Sequence, residues 1–246
     1  MNNRLSFVQA LLGSDCLLCG APAGPAFIPG LDPGADSGSA DFCLPCRKTL
    51  PYLSSSHCSV CAVPVTGAST CGACLAKPPA FDRTVAAFEY AFPVDALLQS
   101  LKYRSNLAMA RVLAGFLSAR ITSTVNPAEL PDYIIPMPLH AKRLRERGFN
   151  QAVEIARYVS KSTHIPLFAR ACQRTRDTPS QTELPWKERE KNIRGAFTCE
   201  ADFSGKRVVI LDDVMTTGAS VNELAKLVSN RGAMRVSVWV VARTLP

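Results

Sequence analysis

Four Cys-x-x-Cys pairs lie in the first third of the chain and constrain its fold more than any other feature. Each pair forms a tight turn that directs two thiolates to one side, at the spacing of two corners of a tetrahedral Zn²⁺ site. Because four thiolates leave no open coordination position, we expect two structural zinc sites rather than catalytic ones. The expected ligands are Cys16, Cys19, Cys43, Cys46, Cys58, Cys61, Cys71 and Cys74.

Sequential pairing, with the first two turns around one ion and the last two around the other, is the simplest assignment. Crossed or nested pairings stay open, as do an iron–sulfur centre and replacement of one thiolate by His57. Disulfides are not expected, because we find no export signal and cytosolic thiols stay reduced. The remaining two cysteines, Cys172 and Cys199, belong to no such pair and are expected to be ordinary buried thiols.

Basic side chains are concentrated in one part of this 246-residue chain. The net charge is +8, and residues 140–194 contain thirteen basic against six acidic side chains, whereas residues 1–80 are neutral. Such a window favours a polyanionic partner, with a solvated basic surface as the alternative. No stretch approaches the ~18 apolar residues that a membrane span requires. We therefore expect a soluble, cytoplasmic protein without membrane insertion.

A phosphate-binding loop is predicted near the C-terminus. Residues 208–211 form an apolar run typical of a buried parallel strand, and residues 220–228 carry apolar side chains at helical spacing. The segment between them lies at a helix N-terminus, where unpaired N–H groups and the helix dipole favour an anion. Asp212 and Asp213 follow the strand, at the edge where α/β sheets bind ligands. Because carboxylates repel phosphate but accept hydrogen bonds from a sugar diol, the pattern indicates a ribose 5-phosphate.

The same residues carry a family resemblance. Residues 209–220 read Val-Ile-Leu-Asp-Asp-Val-Met-Thr-Thr-Gly-Ala-Ser and resemble the signature of type I phosphoribosyltransferases, which bind phosphoribosyl pyrophosphate with Mg²⁺. The resemblance implies that Asp212 and Asp213 hold the ribose hydroxyls and that the following loop holds the 5-phosphate. The loop positions implied are Met215, Thr216, Thr217, Gly218, Ala219 and Ser220.

A second motif narrows the family. Residues 134–152 resemble the hallmark of the ComF/GntX group of phosphoribosyltransferase-like proteins, which are also known for N-terminal cysteine pairs. From the residues alone, Tyr133 to Ile135 is a strand that prolines end, and Asn150 is the N-cap of a helix. The resemblance implies a pyrophosphate-binding loop at Met137, Pro138, Leu139 and His140, with Arg143 close behind.

A charged segment separates these two motifs. Residues 174–197 are polar and contain two prolines, so we expect them to be mobile until they meet a ligand. In phosphoribosyltransferases a flexible lid over the pyrophosphate takes this position and excludes water. By resemblance the lid residues are Arg174, Gln181, Arg189 and Asn192, and an ordinary exposed loop is the alternative.

The predicted architecture is a double zinc-ribbon module (1–80) followed by an α/β, type I phosphoribosyltransferase-like domain (81–246). A small zinc-ribbon module thus precedes a mostly parallel sheet with helices on both faces. The predicted strands are 84–90, 133–136, 207–212 and 235–242. The predicted helices lie near 93–103, 106–120, 150–161 and 219–229.

Two functions follow from these expectations. The first is a Mg²⁺-dependent phosphoribosyltransferase whose acceptor no motif specifies. The second is a non-catalytic accessory protein that retains the sugar-phosphate pocket and binds single-stranded DNA through the basic window. The ComF group is associated with natural competence and the use of external DNA, so the resemblance implies single-stranded DNA and the DNA-uptake machinery as partners.

Overall fold

The fold is described from a computed structural model, which defines residues 15–23, 41–177 and 193–245. The strands are β1 (Arg83–Glu89), β2 (Tyr133–Pro136), β3 (Cys172–Arg174), β4 (Phe197–Cys199), β5 (Arg207–Met215) and β6 (Arg235–Arg243). The helices are α1 (Leu44–Lys48), α2 (Gly72–Ala76), α3 (Val94–Arg104), α4 (Ala108–Thr124), α5 (Ala141–Arg147), α6 (Gln151–Thr163) and α7 (Ala219–Asn230), with a 3₁₀ turn at Pro127–Glu129. Four strands form a parallel sheet in the order β1-β6-β5-β2, and β3 pairs with β4 antiparallel.

Alternating side chains of the central strands face two separate hydrophobic clusters. In β5, Val209 and Leu211 face a cluster that contains the buried sides of α3, α4 and α6. Val208 and Ile210 face the opposite cluster, which α7 and the β3–β4 hairpin cover. A parallel strand that is buried on both faces has a nearly continuous apolar sequence, and residues 208–211 of β5 show this pattern. The predicted α/β class, with a parallel sheet and helices on both faces, is confirmed.

Helix α6 illustrates how local sequence places one of these helices. The side-chain oxygen of Asn150 accepts a hydrogen bond from the backbone N–H of Ala152 at 2.9 Å, which confirms Asn150 as the N-cap. The buried side chains of the helix recur at helical spacing, at Ala152, Ile155, Ala156 and Val159. The helix therefore begins beside the carboxyl edge of the sheet.

The cysteine-rich segment packs against both faces of this sheet. Phe42 and Cys43 belong to the cluster of α3, α4 and α6, and the ring of Phe42 lies 5.6 Å from that of Phe116. Ala62 belongs to the cluster on the α7 side. The segment is also joined to β1, since the backbone N–H of Thr84 donates to the carbonyl oxygen of Ser59. The division of the chain at residue 80 remains a prediction.

Three local features differ from the sequence-based expectation. Strand β5 continues to Met215, beyond the predicted end at 212, because β6 offers it a hydrogen-bonding partner as far as Arg243. The short helix α5 and the β3–β4 hairpin were not predicted. Cys172 and Cys199 lie opposite each other in that hairpin, and both are buried, as predicted.

None of the helices in the described ranges combines the length and the hydropathy needed to span a bilayer.

Candidate functional site

The segment between β5 and α7 forms a tight loop (residues 216–218, the β5–α7 loop) at the carboxyl edge of the sheet. Gly218 is the N-cap of α7 and has φ +78°, a left-handed conformation that favours glycine. The backbone N–H of Ala219 donates to Oγ1 of Thr217 at 3.1 Å. Gly218 has no side chain that could cap α7, and the N-terminus of a helix favours an anion through its dipole and its backbone N–H groups. Of the predicted phosphate positions, Met215 ends β5, and Ala219 and Ser220 begin α7.

The two predicted ribose-binding carboxylates, Asp212 and Asp213, lie near the C-terminal end of β5, shortly before this loop. Asp213 is 3% exposed, and its backbone N–H donates to Oδ1 of Asp212 at 2.9 Å. Nε2 of Gln151, at the start of α6, lies 3.4 Å from Oδ1 of Asp213. The pair therefore sits at the edge where α6 and the β5–α7 loop meet.

Lys102 of α3 forms an ion pair with Asp213 in this site. The sequence analysis did not identify this lysine. Its Nζ lies 2.5 Å from Oδ2 of Asp213, and its side chain is 19% exposed. The available signal was its position four residues after the buried Leu98, which places a lysine on the inward side of α3. An inward lysine requires an anionic partner, but the sequence does not say which one.

The charges in this cluster separate the two carboxylates. Burial raises the pKa of Asp213, but the charge and hydrogen bond of Lys102 outweigh burial, and the pKa is lowered. Burial and then the charge of Asp213 raise the pKa of Asp212 well above its usual range. Burial lowers the pKa of Lys102, but Asp213 more than compensates, and the pKa is raised. The site thus contains an Asp213–Lys102 ion pair beside Asp212, a carboxyl that binds its proton more tightly than a free aspartate does.

The predicted pyrophosphate loop follows β2, which is the neighbour of β5. The backbone N–H of Met137 donates to the carbonyl oxygen of Leu211 at 2.8 Å, and Nδ2 of Asn150 donates to the carbonyl oxygen of Met137 at 3.0 Å. His140 is the N-cap of α5, where its Nδ1 accepts from the backbone N–H of Lys142 at 3.4 Å. The structure therefore brings this loop, including Pro138 and Leu139, next to the carboxylates, because β2 and β5 end side by side.

Two further cations, Arg174 and Arg143, lie near each other, and Arg174 is within electrostatic range of Asp212. Arg174 ends β3, and burial lowers its pKa, as does the charge of Arg143 in α5. Asp212 and Asp177 oppose that shift, so these charges share one region. Asp177 also lies 3.4 Å from Nζ of Lys142. Gln181, Arg189 and Asn192, the other predicted lid residues, lie outside the described residues.

The eight paired cysteines form two groups of four, in the sequential pairing. We name these the first tetrad (Cys16, Cys19, Cys43, Cys46) and the second tetrad (Cys58, Cys61, Cys71, Cys74), and the sulfur atoms of each lie within 4.8 Å of one another. A tetrahedral Zn²⁺ with sulfur ligands at about 2.3 Å requires sulfur atoms about 3.8 Å apart. The spacings of 3.7 Å for Cys19–Cys43 and 3.6 Å for Cys61–Cys71 fit that requirement.

The surroundings of the second tetrad also suit thiolates. The backbone N–H of Cys71 donates to Sγ of Cys58 at 3.2 Å, and that of Cys74 points to Sγ of Cys71 at 3.5 Å. His57 is engaged elsewhere, since its Nδ1 lies 2.6 Å from the carbonyl oxygen of Ser54. The four sulfur atoms are thus a complete ligand set for Zn²⁺ without histidine.

Comparison with known families identifies two parts of the chain. Residues 145–245 match the phosphoribosyl transferase domain, and residues 7–75 match the double zinc ribbon domain. The second match agrees with the two tetrads and assigns Zn²⁺ to them.

Sequence comparison finds relatives that align with most of this chain. DNA utilization protein YhgH of Escherichia coli (strain K12) is 39% identical over 194 residues, which are 76% of this chain and 84% of that protein. Competence protein F of Haemophilus influenzae is 32% identical over 220 residues, which are 82% of this chain and 96% of that protein. Competence protein ComFC of Bacillus subtilis is 25% identical over 214 residues, covering 82% and 84%.

Solved structures resemble the chain more distantly. A purine phosphoribosyltransferase from Pyrococcus horikoshii is 20% identical, with a TM-score of 0.32 and coverage of 54% of this chain and 80% of that one. Adenine phosphoribosyltransferase from Leishmania tarentolae is 16% identical, with a TM-score of 0.37 and coverage of 65% and 76%.

Proposed function

This chain belongs to the ComF family of DNA utilization protein YhgH and competence protein F, and on that premise we propose that it binds phosphoribosyl pyrophosphate with Mg²⁺. One observation carries the proposal. The carboxylates of Asp212, which is partly exposed, and Asp213, which is 3% exposed, adjoin the β5–α7 loop at the edge where β2 and β5 end. A sugar diol can bind the carboxylates while its 5-phosphate meets the N–H groups of α7.

Each part of the ligand has a proposed partner. The ribose hydroxyls donate to Asp212 and Asp213, and the 5-phosphate accepts from the backbone and hydroxyls of Thr216, Thr217 and Ser220. The pyrophosphate lies along residues 137–140, where Arg143 and Arg174 offer positive charge. Gln181, Arg189 and Asn192 are proposed to complete its cover. Mg²⁺ supplies further positive charge to the pyrophosphate when it is bound.

The same arrangement suits a phosphoribosyl transfer. The bond between C1 of the ribose and the pyrophosphate oxygen breaks, the pyrophosphate leaves with the bonding electrons, and the acceptor's lone pair forms the new bond to C1. The protein contributes positioning and charge neutralisation, without a covalent nucleophile. Pyrophosphate release, measured with Mg²⁺ and panels of bases, amines and DNA, identifies the acceptor. If none of the tested compounds causes pyrophosphate release, the result argues against transfer and favours a protein that only binds the ligand.

Calorimetry tests the binding proposal directly. Asp213→Asn and Thr217→Val are each expected to weaken phosphoribosyl pyrophosphate by roughly ten- to hundredfold, because each removes a bond worth about 1.5–3 kcal/mol. Asp202→Asn is the matched control, since Asp202 is exposed in the segment that precedes β5, and its hydrogen bonds to described residues are with Ser204. Absence of heat with the unchanged protein, or equal affinities in all variants, would refute the assignment.

Single-stranded DNA is the second proposed ligand, and the exposed basic side chains of α5 and α6 favour it. The side chains of Lys142 and Arg157 are 60% and 63% exposed, and Lys161 and Arg170 are exposed as well. Contacts with about four phosphates would give a log–log salt slope near −3, at roughly −0.7 per phosphate. Such binding is expected to be weak and independent of base sequence.

A double charge reversal tests this second proposal. Arg157→Glu with Lys161→Glu is expected to abolish DNA binding while phosphoribosyl pyrophosphate still binds. The control replaces two exposed lysines outside this basic surface, Lys206 and Lys226, by glutamate. This control is expected to leave DNA binding unchanged. Unchanged DNA affinity and salt slope in the first variant would mean that the basic face is only a solvated surface.

A further inference from the structure

Arg243 joins the second tetrad to the β5–α7 loop. It is the last residue of β6 and is 4% exposed. Its Nε donates to the carbonyl oxygen of Cys61 at 2.8 Å, and its Nη1 donates to the carbonyl oxygens of Met215, at 3.1 Å, and Thr216. One guanidinium therefore holds the backbone of a metal-ligating residue and the backbone at the start of the loop in a fixed relation.

The same tetrad supplies the charge that a buried guanidinium needs. The guanidinium of Arg243 lies against the second tetrad, where its Nε bonds the backbone of Cys61, and it is within electrostatic range of the Cys61, Cys71 and Cys74 thiolates. Four thiolates around one Zn²⁺ retain a negative net charge. Because a buried cation without a counter-ion is costly, the metal-loaded tetrad favours the position in which Arg243 contacts the loop.

Two further contacts connect the chain after the second tetrad to the surroundings of the loop. The backbone N–H of Ala80 donates to Oδ1 of Asn222, in the first turn of α7, at 2.7 Å. Phe81 shares a buried cluster with Met215 and Ala219. The surroundings of the loop are thus contacted both by Arg243 and by the segment that follows the second tetrad.

The first tetrad has a different environment. Its buried members Cys16 and Cys43 pack in the cluster of α3, α4 and α6, on the opposite face of the sheet. Arg47, next to Cys46, is also a buried arginine, with 8% exposure. The chain therefore offers a buried arginine beside each tetrad, and Arg243 is the one whose described contacts include the β5–α7 loop.

We propose that Arg243 is a positioning residue through which metal binding at the second tetrad sets the affinity of the β5–α7 loop for its phosphate ligand. This inference rests on the proposed function, since it concerns the same site. With the metal bound, Arg243 holds the carbonyl groups of Met215 and Thr216 turned away from the ligand, and the N–H groups that follow are left to face the phosphate. When the metal is lost, the released thiolates bind protons, which removes the negative counter-charge of Arg243 and frees the loop.

The first experiment compares variants by calorimetry with phosphoribosyl pyrophosphate and Mg²⁺. Arg243→Met is expected to weaken binding by at least about tenfold, since it removes charge-assisted bonds to the loop. Arg243→Lys is expected to weaken binding as well, because one ammonium cannot reach both Cys61 and Thr216 in the same geometry. Arg47→Met is the matched control, with unchanged ligand affinity. Equal affinities of the two Arg243 variants and the unchanged protein would overturn the proposal.

The second experiment uses reciprocity, which a purely structural arginine would not produce. If the metal favours the ligand, the ligand must favour the metal by the same factor. Phosphoribosyl pyrophosphate is therefore expected to slow the release of one of the two zinc ions to a chromogenic chelator. In Arg243→Lys both ions remain bound, but this protection is lost.

The outcomes separate this inference from the proposed function. No heat with the unchanged protein would refute the proposed function itself. Ligand binding with no protection of either zinc ion, or with equal protection in Arg243→Lys, would refute the coupling while the proposed function stands.

Discussion

Nζ of Lys102 lies 2.5 Å from Oδ2 of Asp213, although 110 residues separate the two in the sequence and both side chains are largely buried. Despite burial, the positive charge of Lys102 lowers the pKa of Asp213 and so favours its ionised form. Besides burial, the negative charge of Asp213 in turn raises the pKa of the neighbouring Asp212, because two adjacent negative charges repel each other. Lys102 thus stabilises the carboxylate that we propose as a ribose ligand.

Replacing Lys102 tests this relationship. Lys102→Met is expected to destabilise the ligand-free protein by about 3 kcal/mol near neutral pH, because it leaves a buried carboxylate unpaired. Lys226→Met is the control, since the side chain of Lys226 is 56% exposed and its ion pair with Glu223 at the surface is worth less than about 1 kcal/mol. Urea unfolding measures both, and a loss for Lys102→Met no larger than that of the control would contradict the prediction.

The raised pKa of Asp212 predicts how stability depends on pH. A carboxyl whose pKa is higher in the folded state binds its proton more tightly there, so its contribution falls as the pH rises from about 4 through the raised pKa. The lowered pKa of Asp213 has the opposite effect. Its contribution to the free energy of unfolding is fully present above about pH 4 and is lost as the pH falls below that value. Of these two carboxyls, Asp212 is therefore the one that contributes to the slope above that pH.

Asp212→Asn removes this titration. The variant is expected to melt at a higher temperature than the unchanged protein at about pH 8 and at a similar temperature near pH 4, while it binds phosphoribosyl pyrophosphate at least about tenfold more weakly. Thermal melts across this range and calorimetry give the two readouts. A variant that melts lower at pH 8 would show that Asp212 stabilises the free protein as an anion.

Gly218→Ala tests the geometry of the β5–α7 loop. The left-handed φ costs an alanine about 1–2 kcal/mol, and the added Cβ would lie 2.9 Å from Cε of Met215. Ligand affinity is expected to fall with stability. Gly205→Ala is the control, because Gly205 has φ +69° but no atom within 4 Å of the added Cβ. It should lose similar stability and keep its affinity, and equal affinities in the two variants would contradict the role of Gly218.

Metal removal is expected to unfold the cysteine-rich segment, since zinc binding contributes directly to folding free energy. Elemental analysis of the purified protein should give two Zn²⁺ per chain, and chelation should make the eight thiols of the two tetrads reactive toward alkylating agents. The buried Cys172 and Cys199 serve as internal controls and should react only after global unfolding. One ion or none, with the eight thiols already reactive in the native protein, would disprove the assignment.

Some features of this protein were determined by the sequence alone because they depend on neighbours in the chain. The Cys-x-x-Cys turns, the apolar run at 208–211, the acidic pair behind it and the N-cap at Asn150 involve residues no more than a few positions apart. Each is a local pattern with a local physical cause. From these patterns the fold class and the position of the candidate site followed.

Other features were decided only by the tertiary structure. The pairing of the four turns into tetrads, the contact of Lys102 with Asp213, the extension of β5 to Met215 and the bridge from Cys61 through Arg243 to Thr216 all join distant segments. Sequence periodicity indicates that a side chain such as Lys102 faces inward, but the packing of whole helices and strands selects the group it meets. A buried charge requires a counter-charge, and only the arrangement of α3 against β5, or of the second tetrad against β6, determines which one it finds.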